Sequence, residues 1–96
     1  MGNVEELEKK YGHLFSELVP IGNGYAVGWC KGGRFYDGEY WYTTQDTFQF
    51  YNFCDFDMFG KTHKAWLSCG CFRKGEAIAF VKENGLEMPG FLCDPV

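Results

Sequence analysis

Between Tyr25 and Phe59 the chain carries thirteen of its nineteen aromatic residues, punctuated by the turn pairs Gly32-Gly33 and Asp37-Gly38. Aromatic and β-branched residues suit a pleated, half-buried surface, and glycine pairs at such spacing close hairpins. The block therefore constrains the fold to an antiparallel sheet, with the flanking segments left to cover it. Tyr25, Val27 and Trp29 alternate with Ala26, Gly28 and Cys30 as the two faces of a strand, preceded by a turn at Gly22-Asn23-Gly24. Residues 34–36 and 39–43 read as short strands, with Asp37-Gly38 either a turn between them or a bulge within one longer strand. This part reads as an antiparallel meander.

The next stretch carries two conflicting signals. Phe50, Phe53, Phe56 and Phe59 recur at every third position, and Thr43 with Asp46 resembles a capping box, which favours a helix. Residues 47–53 are good strand formers. The reading adopted is a strand over 47–53 and a loop over 55–61. Residues 64–72 read as a further strand with a kink at Gly70.

Helices are expected on either side. Val4, Leu7, Tyr11, Leu14, Phe15 and Leu18 form one apolar stripe at helical spacing, with Asn3 as N-cap, acidic residues in the first turns and Pro20 as the stop. That spacing predicts a helix over 4–19, weakened at Gly12. A second helix is expected over 75–84, with Ala77, Ile78 and Val81 inward and Gly85 as a left-handed cap. Residues 86–96 read as an irregular tail pinned by Phe91 and Leu92. The expected fold is α+β: one domain over residues 1–96, an antiparallel sheet of about four strands covered by an N-terminal and a C-terminal helix.

The charge balance bears on partners. A formal net charge of -4 disfavours direct binding to nucleic acid or to an anionic membrane surface. No apolar run is long enough to span a bilayer, and Met1 to Lys10 is too polar for a secretory leader, so a cytoplasmic protein is expected. Stacking of single-stranded nucleic acid on Tyr25, Trp29, Tyr40 or Trp41 would need a positive groove, and acids follow Arg34 instead. Nineteen aromatic residues exceed what one small core hides, which leaves some for a partner or for a homodimer contact.

Charge is also segregated along the chain. Residues 35–60 hold Asp37, Glu39, Asp46, Asp55 and Asp57 without a Lys or Arg, and residues 61–74 hold Lys61, His63, Lys64, Arg73 and Lys74 without an acid. An acidic, aromatic-rich surface suits docking onto a basic protein partner, because charge steers the encounter and desolvated rings anchor it. Asp37, Glu39, Tyr40, Trp41, Asp55 and Asp57 are the contact residues this reading selects.

Five cysteines form an odd set without an export signal, so reduced thiols are expected. Cys69 and Cys71, placed on one face of a strand, with His63 near by, are the alternative: a small zinc- or thiol-dependent accessory protein. Their Cys-x-Cys spacing departs from the usual zinc knuckles and lacks the helix N-terminus of redox pairs. Neither His13 nor His63 is accompanied by a nucleophile elbow or metal motif. Gly60-Lys61-Thr62 lacks the earlier glycine of a phosphate loop, since Asp55 stands there. No enzyme and no cofactor are expected.

In size, acidity, aromatic density and absence of catalytic residues, the chain is similar in character to small phage-encoded inhibitors of host defence such as anti-CRISPR proteins. That similarity implies a protein in the host cytoplasm that sterically blocks a nucleic-acid-handling complex. The function expected is a protein-binding module that works by occupying a partner's surface.

Overall fold

The computed structural model describes residues 4–32, 34–36, 38, 41–43 and 45–93. The N-terminal helix α1 spans Val4–Tyr11, about half the expected length; a 3₁₀ turn at Gly12–Leu14 follows, and the chain then enters strand β1, Glu17–Gly22. The apolar stripe is thus divided between two periodicities. Leu7 is buried on the helix, Leu18 is buried on the strand, and Leu14 is left exposed between them. Gly12 ends the helix eight residues earlier than Pro20 would have. Pro20 sits in β1, the outer strand of the sheet, where a missing N–H is tolerated.

Asn23 and Gly24, both at left-handed φ (52° and 76°), turn β1 into β2, Tyr25–Cys30. The main sheet continues through β5, Thr47–Met58, and β6, Lys61–Arg73, in the antiparallel order β1-β2-β5-β6. The expected meander is therefore corrected. Among the described residues, strands β3, Arg34–Tyr36, and β4, Trp41–Thr43, pair only with each other, as a separate two-stranded sheet that falls between β2 and β5 in the chain. Pairing β2 with β5 sets Phe48 opposite Trp29 and Phe50 opposite Val27, and both phenylalanines become fully buried. The apolar area so removed from water, roughly 150–250 Å² per ring, outweighs the convenience of a local turn at residue 32.

The loop expected over 55–61 is strand on both sides of a two-residue turn, Phe59-Gly60, with Met58 opposite Lys61. The three-residue recurrence of Phe50, Phe53 and Phe56 therefore distributes the rings over alternating faces. The kink at Gly70 is a β-bulge: Phe50 opposes Gly70 while Tyr51 opposes Ser68, leaving Cys69 as the extra residue and Gly70 at φ 130°. Helix α2, Lys74–Glu83, ends as its sequence predicts. Gly85 is left-handed, its N–H donates to the Lys82 carbonyl, and the Leu86 N–H donates to Val81 across 3.0 Å.

Each face of the sheet carries an apolar cluster. Ala77 and Val81 of α2, with Leu92 of the tail, pack on Ile21, Val27, Phe48 and Phe50. Leu7 of α1 packs on the opposite face with Leu18, Ala26 and Tyr51. The tail is pinned as its residues predict: Phe91 stacks on Trp29 and Phe48 at 5.4 and 5.9 Å, and the Glu87 N–H donates to the Ile21 carbonyl at the sheet edge. Among the described residues no helix is long and apolar enough to cross a membrane.

Candidate functional site

Strand β2 begins at Tyr25, opposite Asn52, whereas β5 runs on to Met58. Among the described residues, β5 and β6 therefore have no strand neighbour but each other from Phe53 to Trp66, and leave the body of the sheet as a two-stranded arm. The last backbone bond to the body is from the Phe53 N–H to the Gly24 carbonyl, 2.7 Å. Because successive side chains alternate, the arm has two chemically different faces. One carries Phe53 edge-on to Trp66, Asp55 beside Lys64 at 3.9 Å, and Asp57 accepting a 3.0 Å hydrogen bond from the Thr62 hydroxyl. The other carries Cys54 opposite Ala65, Phe56 stacked on His63 at 5.6 Å, and Met58 opposite Lys61.

At the apex stands Phe59. Its side chain is 94% exposed and its φ is +53°, with Gly60 at +74°. A tight hairpin turn of this hand wants Asn-Gly, because a non-glycine residue in the left-handed region costs roughly 1–2 kcal/mol. Here a bulky ring occupies that position and projects into solvent. Met58 is also exposed, at 44%, and so is Leu67, which opposes Asn52 on the Met58 side of the ribbon. A backbone outlier bearing an unburied aromatic, next to further exposed apolar residues, marks the arm as the candidate interaction site.

The structure brings together only part of what the sequence selects. Asp55 and Asp57 share one face of the arm. Asp37, Glu39 and Tyr40 lie outside the described residues, and Trp41 is described only as backbone in β4, opposite Tyr36. The hairpin brings one basic residue of the second segment back to the acidic one, Lys64 beside Asp55, while Asp57 faces the uncharged Thr62. Two of the rings considered for stacking are used inside: Tyr25 packs edge-on against Phe80, and Trp29 stacks on Phe91.

The alternative metal set does not converge. The bulge interrupts the alternation between Cys69 and Cys71, so the two thiols do not share a face: Cys71 lies opposite Gln49 and near Tyr51, whereas Cys69 lies near Cys54. His63 is opposite Phe56, eight residues up β6 from Cys71, about 25 Å in an extended strand. Among the described residues no three His, Cys, Asp or Glu side chains are grouped to hold a metal ion. All five cysteines are free thiols. Burial, then the neighbouring Cys54, pushes the Cys69 thiol up, opposite to what a reactive thiolate needs. His13 lies exposed in the 3₁₀ turn after α1.

Phe59 and Asp46 take places in the structure that their sequence context does not indicate. Phe59 had a signal, a Phe-Gly pair where Asn-Gly would be usual, but the turn became recognisable only once both flanking strands were known. Asp46, whose spacing from Thr43 resembles a capping box, stands just ahead of strand β5. It accepts hydrogen bonds from the Trp29 indole and from the Gly32 backbone, fixing the chain where it leaves β2 and re-enters β5. The Gly32 N–H, ahead of the Trp29 bond and the nearby lysines, holds its carboxyl below the usual range against the opposing effect of burial. No family model, curated protein or solved structure matches the chain.

Proposed function

We propose that this protein is a protein-binding module that acts by occupying a partner's surface, and that the β5–β6 arm is the element that docks. The observation that carries the reading is Phe59, an exposed aromatic ring at an unfavourable backbone position on the apex of a projecting hairpin. Folding gains nothing from that ring. A partner pocket that buries it gains roughly 1.5–3 kcal/mol, in the manner of an interface anchor. The overall charge of -4 favours approach to a basic surface, as in the small phage-encoded inhibitors the chain is similar to in character. Close in, Asp55 and Asp57 act as rim charges beside the anchor.

The test substitutes Phe59→Asn, which restores the residue the turn prefers. Thermal and urea unfolding should show a variant more stable by about 1 kcal/mol. Affinity capture from the source cells should show the partner retained by wild type at fixed stoichiometry lost from that variant, and kept by Leu14→Asn, which alters an exposed leucine away from the arm. Retention of the same partner by Phe59→Asn overturns the reading. The double reversal Asp55→Lys with Asp57→Lys should slow association at low salt by about tenfold while leaving dissociation nearly unchanged; stopped-flow mixing with the captured partner measures both rates.

A further inference from the structure

Strand β5 loses a neighbour where β2 begins. In a two-residue hairpin the flanking pair, here Met58 and Lys61, exchanges both backbone bonds. Counting back along β5, Cys54 and Phe56 bond to β6, while Phe53, Asp55 and Asp57 aim their N–H and C=O groups the other way. The count is met at Phe53, whose N–H donates to the Gly24 carbonyl. Past that bond the turn at residues 22–24 has taken the chain back to β1. Among the described residues no strand lies along this edge of β5 from Cys54 to Met58, about 16 Å. At its inner end an open cleft of about 560 Å³ separates the 22–24 turn from Phe53, Cys54, Asp55 and Lys64. Ligand clefts are of that size, roughly 300–1,000 Å³.

The side chains of that edge select its occupant. Asp55 and Asp57 stand on one face, and Cys54, Phe56 and Met58 on the other. An added strand meets both sets at cross-strand distances of about 4.5–5.5 Å, whereas Lys61 and Lys64 stand one strand further off, on β6. Asp55 is paired with Lys64 at 3.9 Å through exposed side chains, a weak attachment in water. Asp57 faces the Thr62 hydroxyl across the arm and no cation. A second copy is disfavoured in every register that this bonding phase allows. Two-fold antiparallel pairing of β5 edges about Asp55 or Asp57 sets that residue against itself, and pairing about Phe56 sets Asp55 against Asp57; like charges directly opposite repel. Pairing about Cys54 runs the copy into β2, and pairing about Met58 leaves only the turn to pair. An extended segment that alternates basic and apolar residues satisfies both faces.

We propose that the edge of β5 beyond the 22–24 turn takes such a basic–apolar segment of a partner protein as an added antiparallel strand, in line with β2. The proposal rests on the reading of the arm as the docking element and places a second contact on it, separate from Phe59. Main-chain bonds to Asp55 and Asp57 supply affinity. Their carboxylates take the basic side chains, and Phe56 receives the apolar one between them.

The probe is a fluorescein-labelled peptide, Val-Lys-Ile-Arg-Val, added to the full chain. Anisotropy should show saturable binding, and hydrogen exchange read by NMR should show the Asp55 and Asp57 amides slowed at saturation. N-methylating the Lys and Arg backbone nitrogens, which face β5 in this register, should weaken binding by at least about tenfold, or 1.4 kcal/mol. N-methylating the Ile nitrogen, which faces away, should not. Replacing Lys and Arg of the probe by Glu, or Asp57→Lys in the protein, should also weaken it by about tenfold, with the exchange of amides 48 and 50 unchanged as the check on folding. Phe59→Asn should bind the probe as wild type does, so the two readings fail separately: partner capture by that variant counts against the arm, and failure of the probe counts against the edge. Absence of binding at about 1 mM peptide, binding without protection of Asp55 and Asp57, or equal loss from all three N-methylations each overturns the proposal. So does protection of those two amides without probe in a dimer seen by sedimentation, which would make the occupant a second copy.

Discussion

At the scale of single residues, close approach explains one glycine that alternation alone does not. A Cβ at Gly28 would lie 2.7–2.8 Å from three ring atoms of Phe15, including the one bonded to its own Cβ, so the ring has no flexible end to yield. Gly28→Ala should lower stability by about 1–3 kcal/mol, as overpacking does, read from the midpoint of urea unfolding with an unchanged slope. Asp46 works through charge. Its folded pKa lies below the unfolded value of about 3.9, so its contribution is complete above that pH and is lost as pH falls through the depressed folded value. Acid titration should release the Trp29 indole N–H, followed as an NMR resonance, and Asp46→Asn should make the fall of stability below about pH 4 shallower. A titration of that resonance centred above the usual carboxylate range would refute this account. Neither role was legible beforehand, because both depend on residues 13 and 17 positions apart meeting in space.

At the scale of elements, local chemistry was legible and partner choice was not. The end of α2, the turn at Asn23-Gly24 and the alternation of β2 follow from short-range rules, and the structure shows each of them. The apolar stripe of residues 4–18 fits both a helix and a helix followed by a strand, and Gly12 decides between them. The order β1-β2-β5-β6 depends on which phenylalanines bury best against Val27 and Trp29, a comparison between distant segments. Of the arm, residues 55–61 read as a loop, since Asp55, Asp57 and Gly60 resemble loop residues until Lys64 and Thr62 are seen opposite the acids. A two-stranded ribbon with one face uncovered is marginal on its own. Amides of 54, 56, 61, 63 and 65, although bonded across the arm, should exchange at least about tenfold faster than those of 48 and 50. Bound partner should slow the arm amides and leave the inner ones unchanged.

At the scale of the molecule, the chain is more extended than a compact domain of its length. The radius of gyration is 14.9 Å, against about 12.5 Å for a compact chain of this length, and the extents are 46 × 38 × 20 Å. Each face of the body carries its own apolar layer, and of the arm Trp66, at its base, packs on the Leu7 cluster. Leu7 is the one fully buried side chain of α1, and Leu7→Ala should cost about 2–4 kcal/mol in urea unfolding while leaving the Trp29–Phe91 stack in place. The α+β class was legible from composition and spacing. The separation into a four-stranded body and a two-stranded arm was not, since nothing local distinguishes β5 residues that have β2 as a neighbour from those that do not.

That the outer part of the ribbon is paired only with itself has a further consequence for how such a protein can diversify. Adding or removing one residue from each strand moves Phe59 by about 3.3 Å and turns it to the opposite side. Changing two from each moves it by about 7 Å and restores its orientation. Reach and facing are therefore set by a length count alone, independently of the sequence that builds the body, and a family of such chains could track a changing target by insertions and deletions near residues 54 and 65 without renegotiating its core.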